Sequence, residues 1–308
     1  MGHRQDTDWI CMFQSHLPIS TMEKARHFPA KAARAVVEAL GKVALLQLRV
    51  RAPSLSYVQD TNGQEQFSLV ETLRDLQLVV DWVHSQIPPA GGDADQVYLL
   101  GAGAGAHLCS LYNLGCALGS QYAQACKQMG RSTIPILSSP EADRMLKIWC
   151  TSLRNPPRPV LGLILISGVF DLMFQKRYED ERCLSGLAMT SYLFDSRAKA
   201  EAWSPQVILD SLKRRNFVLD ISKMAKRALF IHGRKDATFP FLSSHRFFRS
   251  LCNWDVPDVN MKVYANLRRI DPTVALLSPK APLTQSLLED IRGIILDLDQ
   301  EKGEEGSP

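Results

Sequence analysis

The sequence predicts an α/β domain, a mostly parallel sheet covered by helices on both faces. Two observations carry that expectation. Short apolar runs alternate with longer stretches of helical periodicity along most of the chain. In QVYLLGAGAGAHL, residues 96–108, a buried-type run passes through a glycine-rich turn into a helix. Strand–helix alternation of this kind builds parallel sheets, because each crossover helix lands on a face of the sheet.

The elements follow in order. Residues 9–13 are short and β-compatible. Residues 29–40 (PAKAARAVVEAL) are alanine-rich and amphipathic, with Gly41 as the stop, and KVALLQLRV (42–50) reads as a strand. Residues 69–86 form a long helix with Leu73, Leu76, Val79, Val80 and Val83 at helical spacing. A strand at 96–100 precedes a helix at 105–118. Further strands are expected at 161–166, 228–232 and 259–264, and helices at 243–252 and 284–298. Residues 119–159 and 171–222 break this rhythm and read as cap or lid excursions from a single domain spanning 9–298. The acidic tail 299–308 reads as disordered.

Composition excludes several classes. Of 308 residues, 45% are hydrophobic and 22% charged, an ordinary globular balance. The net charge of +4 is spread thinly, with no basic stripe interleaved with aromatics, which argues against nucleic acid as a partner. Seven cysteines are an odd number and include no CxxC pair, so neither a zinc site nor a disulfide framework is expected. The N-terminus, MGHRQDTDWI, has no apolar signal core. The longest apolar run, 160–170, falls short of the roughly 20 residues a membrane span requires. A cytoplasmic chain is expected, with no cofactor and no metal. An open parallel sheet would also leave an edge available for self-association.

The turn itself fits two designs. Gly101, Gly103 and Ala106 satisfy the dinucleotide-binding spacing, whose glycines bring backbone against a pyrophosphate at a helix N-terminus. That design also needs a second strand ending in an acid about 20 residues on. Here that place holds GSQYAQACKQMG, which has neither. The other design is G-x-S-x-G, a nucleophile on a tight strand-to-helix turn. Gly101 and Gly105 are its flanking glycines, and Gly103 stands where the serine belongs.

Several segments then carry a resemblance. GGDADQVYLLGAGAGAHL (91–108), LRVRAP (48–53), LISGVFDL (165–172), AWSP (202–205) and IHGRKDATFP (231–240) occur in this order. Together they resemble the esterase and lipase branch of the α/β-hydrolases, and most of all the kynurenine formamidases and prenylcysteine methylesterases. The resemblance covers roughly residues 9–298. It implies an α/β-hydrolase fold, shortened at its N-terminus. It places Asp236 on the triad acid and Gly103 on the nucleophile. The histidine expected after the last strand falls in NLRRIDP, on Arg269. The seven histidines stand at 3, 16, 27, 84, 107, 232 and 245, so none follows Tyr264 and the order nucleophile, acid, histidine is not completed.

The oxyanion loop falls on QSHLP, where His16 is retained and Leu17 and Pro18 replace glycines. Pro18 has no N–H to donate. The amides of Ala104 and Gly105 remain as a candidate oxyanion or ligand pocket with His16 and Leu17. An Asp236–Arg269 ion pair is expected in place of the usual acid–histidine pair. His107, His232 and His245 read as packing residues. The function implied is a catalytically degenerate small-molecule-binding or regulatory protein. Alternatives are a hydrolase of esters or arylformamides, another metabolic enzyme using a modified site, and a nucleotide-binding protein.

Overall fold

A computed structural model describes residues 8–14, 43–46, 57–59, 65–67, 69–86, 93–153, 157–183, 190, 194, 196–269, 271–272, 275 and 282–296. The expected helix at 29–40, the tail at 299–308, and His16 and Leu17 lie outside these residues.

The strands in chain order are β1 (Asp8–Gln14), β2 (Val43–Leu46), β3 (Tyr57–Gln59), β4 (Glu65–Phe67), β5 (Val97–Ala102), β6 (Gly162–Ile166), β7 (Arg227–Gly233) and β8 (Asp258–Tyr264). Six of them form one sheet in the order β2-β1-β5-β6-β7-β8, and every neighbouring pair is parallel. β3 and β4 form a separate antiparallel hairpin that the sequence reading did not anticipate. From β1 the chain first builds outward to β2, then crosses to β5 on the other side. The reversal falls between β1 and β5. In open α/β sheets, ligands bind outside the carboxyl ends of the strands at such a reversal.

The side chains of the central strands alternate between two cores, as the two-residue period of a strand requires. Leu99, Leu163, Leu165, Ala228 and Phe230 face one core with helices α1 (Leu69–Gln86) and α2 (Ala104–Gln128). Tyr98, Leu100, Ile164, Ile166, Leu229 and Ile231 face the other. Leu287, Leu288, Ile291, Ile294 and Ile295 of the last helix (Pro282–Leu296) cover that second face. Burial on both faces explains why these strands read as continuous apolar runs.

The expected helix 105–118 extends to Gln128, because the stretch after Gly119 (SQYAQACKQ) contains no helix breaker. The two excursions are helical as well. The first contains α3 (Pro140–Ser152), capped by the Ser139 hydroxyl. The second contains α4 (Leu172–Asp180), α5 (Arg197–Ala202) and α6 (Pro205–Arg214), and α7 (Phe241–Asn253) follows β7. The excursions are anchored to one another. The Trp149 indole donates to the Ala202 carbonyl at 2.8 Å and stacks on Trp203 at 5.9 Å. Asp143 Oδ1 accepts the Ile136 and Leu137 amides at 2.9 and 2.8 Å. Among the described residues, no helix is long and apolar enough to cross a membrane.

Candidate functional site

The turn between β5 and α2 is tight for steric reasons. A Cβ at Gly101 would collide with the Gly105 backbone, so the strand can fold back onto the helix only with glycine there. Gly103 is the N-cap of α2, with φ +59° and ψ −115°. That conformation is essentially confined to glycine, and another residue would be strained by about 1–3 kcal/mol. The Gly103 amide donates to the Ile166 carbonyl at 2.9 Å, which fixes the turn beside the end of β6. Ala104 and Gly105 begin the helix, and their amides have no intrahelical acceptor. A strand-to-helix elbow is thus present, with no side chain at its apex.

Asp236 lies in the turn after β7 and is buried. Its Oδ1 accepts the Thr238 and Phe239 amides, both at 2.9 Å. Its Oδ2 lies 3.8 Å from His232 Nε2 and, although buried, accepts no hydrogen bond. His232 is fully buried, with Nε2 3.1 Å from the Phe239 carbonyl and Nδ1 2.8 Å from the Ser244 hydroxyl. A carbonyl can only accept, so Nε2 carries the proton and Nδ1 accepts from Ser244. Burial pushes the His232 pKa down, against the pull of the Asp236 charge and the Phe239 carbonyl. Both ring nitrogens are committed, so His232 is the packing residue the sequence suggested.

Arg269 lies opposite the elbow. Its Nη2 would lie 3.6 Å from a Cβ at Gly103, and the Phe239 ring 3.3 Å from it. The guanidinium lies over the Phe239 ring, 4.3 Å from its centroid. Burial pushes its pKa down and the nearby Asp236 charge pushes it up. The expected Asp236–Arg269 ion pair is not a direct contact: the ring nitrogen within 4.0 Å of the carboxylate belongs to the neutral His232. The physical reason is that Oδ1 is held by two amides, which leaves Oδ2 facing His232, while Phe239 gives Arg269 an aromatic seat.

The other candidates are accounted for locally. His107, one turn into α2, donates Nε2–H to the Trp203 carbonyl at 2.6 Å. Burial lowers its pKa to about 4, against that hydrogen bond. It ties the elbow helix to the second excursion. Ser110 donates back to the Ala106 carbonyl at 2.8 Å. His245 is half-buried against Phe241 and Phe248.

Sequence reasoning missed two residues. Phe239 is the pivot of the site, since its amide, carbonyl and ring engage Asp236, His232 and Arg269 respectively. Its position in KDATFP, three after the acid, was the available signal. Ser167 directly follows β6, with φ +45°, 1% exposure and a buried hydroxyl that has no hydrogen-bond partner. It lies within LISGVFDL, a segment that the resemblance marked without distinguishing its hydroxyl.

A glycine-flanked elbow after a central parallel strand, with an acid after a later strand, defines an α/β-hydrolase fold. Solved structures agree. The chain is similar to a sugar hydrolase from Lactococcus lactis at 14% identity, covering 96% of this chain and 91% of that one with a TM-score of 0.53. An inhibited esterase B from Lactobacillus rhamnosis aligns at 16% identity over 99% of this chain and 82% of that one, with a TM-score of 0.55. An esterase from Pyrobaculum calidifontis aligns at 12% identity over 96% and 78%, with a TM-score of 0.50. At these identities the likeness establishes the fold. No family profile matches the chain, and no curated protein matches it.

Proposed function

We propose that this chain is a catalytically degenerate α/β-hydrolase-fold protein that binds a small carboxylate- or carbonyl-bearing ligand at the elbow without hydrolysing it. One observation carries the reading: the apex of the elbow is Gly103, and the group facing it is the Arg269 guanidinium. Glycine supplies no nucleophile, and a guanidinium cannot act as a general base because it does not give up its proton. The two groups could instead receive an anion, with the Ala104 and Gly105 amides on one side and Arg269 on the other. The resemblance to kynurenine formamidases points to a small aromatic or acyl metabolite as the ligand class. On this reading residues 9–298 form a single domain, and residues 119–159 and 171–222 shape its cap.

A fluorophosphonate probe is expected to leave the protein unlabelled, and short esters and N-formylkynurenine to remain uncleaved above the buffer rate. Covalent labelling of any serine would overturn the reading. Benzoate is expected to bind in a calorimetric titration and to lose affinity in Arg269→Gln. Failure of the wild-type protein to bind it would remove the ligand half of the proposal.

A second reading, a hydrolase using a modified site, is favoured by Ser167, a strained and unpartnered hydroxyl one strand from the elbow. The structural neighbours described as esterases and hydrolases point the same way. It predicts turnover that disappears in Ser167→Ala and survives in Gly103→Ala.

A further inference from the structure

The two excursions border an open cleft of about 740 Å³, with exposed arginines on its walls, that shares no lining residue with the elbow. Four arginines line it: Arg177 from α4, Arg197 from α5, and Arg214 and Arg215 at the end of α6. Two acids also line it, and both are already engaged. Glu201 accepts Arg197 Nε at 2.7 Å and also accepts the Ser138 hydroxyl. Asp171 caps α4 by accepting the Phe174 amide at 2.9 Å. Arg214 donates only to the neutral Ser211 hydroxyl, at 2.9 Å. Among the described residues, Arg177, Arg214 and Arg215 make no ion pair. Four guanidiniums against two carboxylates leave the lining with a net charge of +2, which a ligand bearing more than one negative charge balances while using the forked donors of the arginines.

The remaining walls indicate more than a bare inorganic ion. Met173 and Val207 contribute apolar surface. A second cavity of about 650 Å³ shares Ile136 and Arg215 with the first and continues along Gln121, Gln124 and Gln128 of α2. The groove therefore has a cationic end and a mixed amide and apolar end.

We infer that this groove is a second binding site, for an organic polyanion whose phosphate groups lie among Arg177, Arg214 and Arg215. Its carbon skeleton extends past Ile136 along the α2 glutamines. The site shares no lining residue with the elbow, and the α2 residues it uses lie at the opposite end of that helix, so its occupancy is separable from ligand binding there.

Calorimetric titration of the full chain with inorganic pyrophosphate, and then with adenosine diphosphate, tests the inference. Both are expected to bind, the nucleotide more tightly because it also fills the extension. Arg177→Gln/Arg214→Gln is expected to weaken pyrophosphate at least tenfold. Arg144→Gln/Arg249→Gln, which removes the same charge elsewhere, and Arg269→Gln at the elbow are each expected to change it less than twofold. Thermal melts confirm that each variant is folded, and an unfolded Arg177/Arg214 variant is replaced by Arg215→Gln alone. Absence of pyrophosphate binding to the wild type overturns the inference. So does equal weakening by the control pair, or loss of binding in Arg269→Gln, which would place the anion at the elbow.

Discussion

Two turns meet at the carboxyl edge of the sheet, and they keep their shape by opposite means. The turn at Asp236 depends on a side chain: one carboxylate oxygen gathers the Thr238 and Phe239 amides, and the placement of Phe239 in turn satisfies His232. The turn at Gly103 depends on having no side chain, since its φ of +59° and ψ of −115° suit glycine alone. A position of the first kind carries a structural role beside any chemical one. A position of the second kind would need chemistry to justify the strain of a serine. The contrast accounts for an acid at one turn and a bare backbone at the other.

Removing the acid is the strongest way to break this comparison. Asp236→Ala leaves two backbone amides without an acceptor and is expected to cost about 2–4 kcal/mol in denaturant unfolding. Asp236→Asn keeps an acceptor oxygen and should lose less than half as much. Equal losses would show that charge, not turn geometry, is what the fold uses.

The histidines beside the two turns provide the next test. His107 is neutral in the folded state, with its pKa lowered to about 4 from 6.5 by burial. Below pH 6.5 the unfolded chain takes up a proton that the folded chain refuses, so stability falls as pH drops from 6.5 to about 4. At about 1.4 kcal/mol per pH unit, the loss across that window is about 3 kcal/mol. His232 adds a loss of the same sign, because burial lowers its pKa too. His107→Gln, whose amide can still donate to the Trp203 carbonyl, is expected to flatten the dependence in unfolding curves measured at pH 7, 5.5 and 4.5. A histidine titrating near neutrality by NMR at either position would contradict this, and would reopen the question of a base.

The sheet was legible because burial on both faces writes each strand as a continuous apolar run: QVYLL, LGLILI and ALFIH all fell on strands. The elbow was legible because tight backbone approach demands glycine, and Gly101 and Gly103 are the visible trace of that demand. What stayed hidden depends on tertiary contacts. The helices of the excursions are held by Trp149 and His107 reaching across segments far apart in sequence. The Asp236–Arg269 pair was inferred from the linear order of the motifs, which says nothing of Phe239 standing between them. The arginine cleft is dispersed over positions 177 to 215 and has no local signature.

Placing a serine at the apex makes a smaller change. Gly103→Ser brings a Cβ to 3.3 Å from the Phe239 ring in a left-handed conformation, at a cost of about 1–3 kcal/mol. The hydroxyl would then lie beside Arg269, which holds its proton, so the variant is expected to be destabilised and still inactive toward short esters.

The smallest effect belongs to Arg269. Arg269 is half-buried on Phe239, and Arg269→Leu is expected to cost only about 0.5–1 kcal/mol, the scale of a cation–π contact near the surface. Such a small cost would mean that the fold hardly needs this arginine, unlike Asp236. A loss above 2 kcal/mol would instead make Arg269 a structural partner of Phe239, and would place both turns in the same class. With the small loss, stability does not explain the arginine's position opposite the elbow, and the benzoate titration of Arg269→Gln becomes the deciding measurement for the proposed ligand.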